Sequence, residues 1–449
     1  MKNEKSLILF LCLAACSCTD KEFIETNPTV PNRYDSGMGM SVDCLKPTFG
    51  IIDEPFVIEG NFKGPVDSMR VYFNYCTNKS DPSTLISKRA VLVATDGKTI
   101  LGVVPKQMAG RNQVSIVVGK DSIAPNGMLF KYNQRKSVKT LCGDFGSSSY
   151  ADGDFTAARF KEVSNIACVK GTKGDNIIAV ESWWNNRVSL ISNDDNKVIT
   201  LGQTGSYGTP IVDNTREKFY LLSHWSEDRT IKSYSRSDSW AEKSTGIVIQ
   251  KSDMPGQIWS GAFTEKDNRY LYLMDTQAHF CQVDLDNMTY KMITLTGDLP
   301  NQDEDRSQMI YSKYHKCFFA SFYKMSGIYK IHQASDGSWH IEKYAGFNGN
   351  GSATGHRLQD AQFIEPFGMA CTSDGELYVI NRGGSFINKV VGDQVEIVAG
   401  KPGNSGQVNS DTEPTDARFD SPQDIAVDSE DNFYIAGGWD RTVRKMSIE

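Results

Sequence analysis

Several things are scarce or missing in this chain. Basic residues are not in excess: 48 Lys and Arg stand against 55 Asp and Glu, a formal net charge of −7 over 449 residues. Polyanion binding rests on a basic surface that neutralises phosphates, so this balance excludes an obvious nucleic-acid binder. Histidines number six, and none of the ten cysteines falls in C-x-x-C spacing, so no zinc-finger or zinc-ribbon pattern is present. No apolar run approaches the roughly 20 residues that span a bilayer, and no amphipathic helical pattern follows the first twenty residues. Turns rich in aspartate, such as 428–432, lack the spaced ligands of a calcium loop. What remains is 39% hydrophobic and 23% charged, enough to bury a core, with 38 glycines. Short runs of Val, Ile, Thr, Tyr and Phe are cut by Asp-Gly and Asn-Gly pairs, which predicts strands joined by tight turns.

The first residues read as a targeting segment. Lys2 and Lys5 precede an apolar stretch, 7–15, that ends in Leu13-Ala14-Ala15-Cys16. That ending resembles the lipobox of bacterial lipoproteins. The resemblance implies a signal peptide over residues 1–15, cleavage before Cys16, and lipid on Cys16; an ordinary secretory signal with an incidental cysteine is the alternative. Asp20 and Glu22 resemble the acidic export signal of Bacteroidetes surface lipoproteins, which implies an outer-membrane anchor with the folded part facing outward. Residues 16–41 are polar and broken by Pro28, Pro31, Gly37 and Gly39, and are expected to form a flexible tether.

Residues 42–133 alternate as strands at 56–62, 69–73, 90–94, 100–105, 113–118 and 128–132, with a turn over 46–50. The set resembles an IPT/TIG immunoglobulin-like domain through Pro47-Thr48-Phe49-Gly50, Ile58-Glu59-Gly60-Asn61-Phe62, Val103-Val104-Pro105 and Phe130-Lys131-Tyr132. The resemblance implies a spacer. Cys44 and Cys76 lie in this region, either bridged or as two separate thiols.

The remainder, 134–449, holds a repeat. Ala158-Arg159-Phe160, Ala361-Gln362-Phe363 and Ala417-Arg418-Phe419 each precede a strand, then a polar turn, then a second strand at 176–180, 376–380 or 432–436. Phe160 and Phe363 are 203 residues apart and Phe363 and Phe419 are 56 apart, so three weaker units belong between the first two copies. Six units of four short strands predict an all-β chain in which the sandwich is followed by a six-bladed β-propeller. The repeat resembles the NHL family through Ala-x-Phe, the Ile425-Ala426 strand and the strand after it. Only three strands fit after Pro422, so the stretch 138–143, which matches 396–400, is expected to complete the last blade. In this alignment Cys168 and Cys371 take the place of Val427 and read as core residues, while Arg187, Arg229 and Arg441 recur at hairpins.

Alternate strands reverse direction, so second-to-third loops and interblade connections emerge at one face. Trp184, Trp225, Trp259, Trp439 and Tyr323 fall there with Arg382, near Glu181, Asp275 and Lys324. Aromatic rings beside polar groups suit a saccharide, whose C–H faces stack on rings while its hydroxyls take polar partners. The competing reading is that these rings fill the taper between blades. The favoured function is non-catalytic glycan binding, without a cofactor, in a surface lipoprotein accessory to polysaccharide capture and uptake. Its expected partners are a polysaccharide or oligosaccharide, outer-membrane transport proteins and the membrane through the lipid, with no nucleic acid. Two alternatives stay open: a protein–protein interaction scaffold, or a metal-dependent lyase or lactonase with His224, His279 and His356 around a zinc ion.

Overall fold

A computed structural model describes residues 32–76, 85–107, 109–123, 128–134, 136–181, 187–203, 207–224, 229–300 and 306–448. The signal segment, Cys16 and residues 17–31 lie outside them. Contacts divide the chain into two units, residues 1–135 with the final residue and Lys136–Ile448.

The first unit is a sandwich of two sheets. One runs in the order Ser41–Lys46, Pro55–Asn61, Thr99–Val103, Val91–Thr95; the other runs Phe49–Gly50, Leu129–Tyr132, Gly110–Val118, Met69–Cys76, Leu85–Arg89. Alternation supplies the core, because successive side chains of a strand point to opposite faces. Phe56 and Ile58 enter from the first sheet, and Val114 and Ile116 from the second. Phe73 joins the two layers, meeting Phe56 edge-on at 5.4 Å and Phe130 at 5.3 Å. Two strands, Ser41–Lys46 and Leu85–Arg89, escape the sequence pattern because each lies at a sheet edge and buries little. The expected tether is bound to the sandwich from residue 33 onward. Asn61 is buried and donates its amide to the carbonyls of Asp35, Met38 and Gly39 at 2.9, 3.1 and 3.1 Å, while Arg33 Nε reaches Asp96 at 2.8 Å. A buried amide needs such partners, and here the incoming chain supplies them. Cys44 and Cys76 are free thiols on different sheets.

Among the described residues the second unit consists of six four-stranded antiparallel sheets, three of them extended by a short fifth strand. In chain order their first strands are Asn165–Lys170, Ile211–Val212, Ser260–Phe263, Ser307–Ser312, Pro366–Cys371 and Asp424–Val427, which begin blades 1 to 6. Each first strand packs on the next and the sixth packs on the first, so the ring is closed. Blade 6 takes its fourth strand from the other end of the unit: Lys136–Gly143 pairs antiparallel with Thr442–Ile448, Val138 opposite Met446. The arrangement is that of a β-propeller.

The second strands show why the sheets close. They are continuous apolar runs rather than alternating ones, as expected when both faces are covered. In Leu377–Asn381, Leu377 and Val379 join the core shared with blade 4, and Tyr378 and Ile380 join the core shared with blade 6. Among the described residues each of the six seams has one such cluster. Cys168 is buried in the seam between blades 6 and 1, and burial pushes its thiol well up, away from nucleophile chemistry.

The Ala-x-Phe repeat has a specific job. Gly143, Gly346 and Gly400 end the fourth strands of blades 6, 4 and 5 at φ 93°, 87° and 74°. A Cβ at these positions would sit 3.1, 2.6 and 2.9 Å from the rings of Phe160, Phe363 and Phe419. The three rings are fully buried. Each glycine therefore turns the chain in the left-handed region and leaves the room that the next blade's phenylalanine fills.

Candidate functional site

The segments that lead into the first strands and the loops that follow the second strands converge at one end of the ring. Beneath them a buried polar network links the inner strands. Asp424, fully buried, accepts from Gln308 Nε2 at 2.6 Å, from Ile425 N at 2.9 Å, from Ile166 N at 3.1 Å and from Thr209 Oγ1 at 3.4 Å. Gln308 Oε1 in turn accepts from Met369 N, and Ser260 Oγ from Met309 N at 2.6 Å. These contacts draw on all six blades. Burial pushes the Asp424 carboxyl up to about 7 against the pull of its donors. Its role is to tie the inner strands where they crowd together.

Above this network two arginines share one ring. Arg306, on the way into blade 4, donates from Nη1 to Gln423 at 2.8 Å, and its guanidinium lies 5.5 Å from the Trp259 ring centre and 5.6 Å from that of Phe367. Arg382 follows the second strand of blade 5 and donates from Nη1 to Tyr323 Oη at 2.9 Å and to Glu365 at 3.2 Å. Both guanidiniums stand 5.9 Å from the centre of the Tyr323 ring. Burial, with the nearby Arg382 charge, pushes Arg306 down to about 10. Glu162, on the way into blade 1, is pushed up to about 7 by burial, which outweighs the pull of Arg306 and Arg382. The mouth thus joins one buried and one partly buried guanidinium, aromatic rings and a carboxyl whose loss of its proton is shifted up toward neutrality.

The candidate aromatics separate sharply. Trp439 is 52% exposed, beside the bridge between Gly438 and Val163 that joins blades 6 and 1. Trp259 is 1% exposed: it stacks on His224 with ring centres 3.7 Å apart, meets Phe367 edge-on at 5.8 Å, and donates from Nε1 to Gln257 at 2.9 Å. It is therefore a wall of the site, closed to a stacking ligand, because His224 of blade 2 and Phe367 of blade 5 pack against it. Tyr323 and Arg382 sit together at the mouth, whereas Trp184 and Trp225 lie outside the described residues.

The acidic residues paired with these rings in the sequence reading are structural. Asp275 is buried and accepts from the backbone N–H groups of Gly256, Gln277 and His279, each at 2.9 Å. Glu181 accepts from Lys161 N at 2.7 Å, as Asn381 accepts from Ile364 N at 2.8 Å at the equivalent place one residue past the repeat phenylalanine. The three histidines are not brought together. His224 packs under Trp259, His279 Nδ1 lies 3.0 Å from Asp275, and His356 pairs opposite Gln394 at the start of a fourth strand, at the other end of blade 5. No group of three His, Cys, Asp or Glu side chains suited to a metal ion occurs among the described residues.

Arg306, Glu162, Glu365 and Gln423 are additions that reading for aromatic loops misses. A signal for two of them is present in the repeat, since Glu162 and Glu365 each stand two residues after the phenylalanine of Ala-x-Phe.

The fold is similar to that of solved Bacteroides proteins. A protein of unknown function from Bacteroides thetaiotaomicron VPI-5482 is 26% identical with a TM-score of 0.76, over 93% of this chain and 100% of that one. An auxiliary nutrient binding protein from the same strain is 16% identical with a TM-score of 0.60, and one from Bacteroides ovatus ATCC 8483 is 15% identical with a TM-score of 0.61; each covers 93% of this chain and 99% of its own. No protein-family model and no curated protein matches the sequence. The likeness to the two nutrient binding proteins is one of fold.

Proposed function

We propose that this chain is a non-catalytic binding protein that takes a saccharide at the propeller mouth, held on the cell surface by lipid on Cys16 as an accessory to polysaccharide capture and uptake. The observation that carries the reading is the convergence of Arg306 and Arg382 on the Tyr323 ring, at the same end of the propeller as the loop that bears the exposed Trp439. A sugar ring needs this combination of an aromatic face and fixed polar donors. That two proteins of this fold bear the name auxiliary nutrient binding protein supports the reading at the level of architecture. Within the proposal the sandwich is an IPT/TIG-type spacer, the repeat is of NHL type, the anchor sits in the outer membrane, and an outer-membrane transport protein receives the ligand. Trp184 and Trp225 belong to the same proposed surface.

The test is a saccharide binding screen followed by titration of Trp439→Ala and Tyr323→Ala. Loss of a stacking ring is expected to weaken binding roughly tenfold, by analogy with base stacking on aromatic side chains. Trp439→Ala should leave the Tm nearly unchanged, because half of the residue is already in water. Unaltered saccharide binding in both variants would refute the placement of the site.

A further inference from the structure

Resting on the saccharide reading above, we propose that the ligand carries a carboxylate, as in uronate or sialate sugars, and that Arg306 and Arg382, both beside the Tyr323 ring, recognise it.

The two arginines come from adjacent blades, one before a first strand and one after a second strand, so the ring closure itself sets their spacing. Each is held by neighbours. Gln423 fixes Arg306 from below, while Glu365 and Tyr323 Oη fix Arg382 through a single nitrogen, Nη1. The rest of the Arg382 fork is not consumed in this way: its Nε is buried without a hydrogen-bond partner among the described residues, and the side chain as a whole is 19% exposed. Two guanidiniums within 5.9 Å of one ring repel each other in a poorly hydrated mouth, and an anion between them relieves that repulsion. A tyrosine face alone would suit any sugar. Two planar guanidinium forks beside it add the geometry that matches a planar carboxylate, where charge-assisted, paired hydrogen bonds are strong and directional. Glu162, near both arginines, is pushed toward its neutral form by burial and so carries less than its full negative charge near pH 7. Tyr323 accepts from Arg382 through its hydroxyl, which holds the ring and that guanidinium in one fixed arrangement beside Arg306.

The experiment is calorimetric titration of the full mature chain with oligosaccharides of galacturonate, glucuronate and mannuronate. Each is set beside its methyl ester and its neutral sugar counterpart, and sialyllactose and a sulfated galactose oligosaccharide complete the panel. At least one carboxylated sugar is expected to bind roughly 10- to 100-fold tighter than its ester and its neutral counterpart, the range of a charge-assisted hydrogen-bond pair. Binding by a uronate or by sialyllactose supports the inference and tells the two sources apart. Arg382→Gln and Arg306→Gln should each reduce the acid to within about threefold of its ester, and Arg382→Lys, which keeps the charge but loses the fork, should restore only part of the preference. Arg269→Gln, in a first-to-second strand hairpin at the far end of the ring, should leave the preference intact. The acid-to-ester comparison on the unaltered chain needs no variant to fold. Equal binding of acid, ester and neutral sugar would overturn the carboxylate inference and leave the saccharide site standing. Equal binding of the sulfated sugar would also overturn it. Absence of binding by every saccharide would overturn the functional reading together with the inference.

Discussion

Blade 4 contains a matched pair of glycines that isolates what the repeat phenylalanine does. Gly337 and Gly346 have nearly the same φ, 89° and 87°, so an added methyl group meets a similar left-handed penalty at both, about 1 kcal/mol. Their surroundings differ completely. A Cβ on Gly337 meets nothing within 4 Å, whereas one on Gly346 meets Phe363 Cδ2 at 2.6 Å and Ser326 O at 2.7 Å. Neither neighbour can give way easily, since Phe363 is fully buried in the seam with blade 5 and the other atom is backbone. Overpacking of this kind costs about 1 to 3 kcal/mol. Gly346→Ala should therefore be less stable than Gly337→Ala by that amount, with the left-handed term cancelling in the comparison. Urea unfolding followed by tryptophan fluorescence is a clean assay, because all seven tryptophans lie within the propeller unit and the sandwich has none. Equal midpoints for the two variants would refute the argument that the strand-ending glycine makes room for Ala-x-Phe.

Three further outcomes are expected. Burial raises Asp424, Asp440 and Glu162 from 3.8, 3.8 and 4.5 to about 7, so the folded chain binds more protons than the unfolded one between about pH 4 and 7. Their contribution is full below about pH 4, falls as pH rises through that window and is flat above it, by up to about 4 kcal/mol for each aspartate at 1.36 kcal/mol per unit; urea midpoints should drop from pH 5 to 8, Asp424→Asn should reduce the slope, and a rise across the same range would contradict it. Trp259→Ala should lower stability by about 3 to 5 kcal/mol, as for a buried aromatic, and a folded variant with only a binding defect would reverse the assignment of that ring to the wall. Under the lipoprotein proposal Cys16→Ala should move the protein to the aqueous phase on detergent partition, and full membrane retention would remove the anchor.

The sandwich shows the limit of pattern reading on a small scale. Strands with a buried face, such as Pro55–Asn61 and Gly110–Val118, announce themselves by alternation, while the edge strand Leu85–Arg89, polar along most of its length, does not. The tether shows it in another way. Nothing in residues 33–39 marks them as bound; the buried amide of Asn61, which needs acceptors, and the Arg33 contact with Asp96 account for their position.

In the propeller the amino-acid order alone determined the all-β class, the repeat and the closure of the last blade by an N-terminal strand. Those features depend on which residues alternate, where glycine turns the chain and how many strands fit after Pro422, and all of these are local. It also determined which loops share a face, because strand direction alternates by necessity. Only the tertiary structure decided which of those loop residues form a site. Trp259 and Trp439 are the same residue type in loops of the same face, yet one is 1% and the other 52% exposed, since burial is set by what the adjacent blades contribute. Arg306 and Arg382 are 76 positions apart and meet over Tyr323 because blades 4 and 5 are neighbours in a closed ring. The distance between groups on different blades depends on their radial position around the axis, a quantity that no stretch of one blade's sequence encodes.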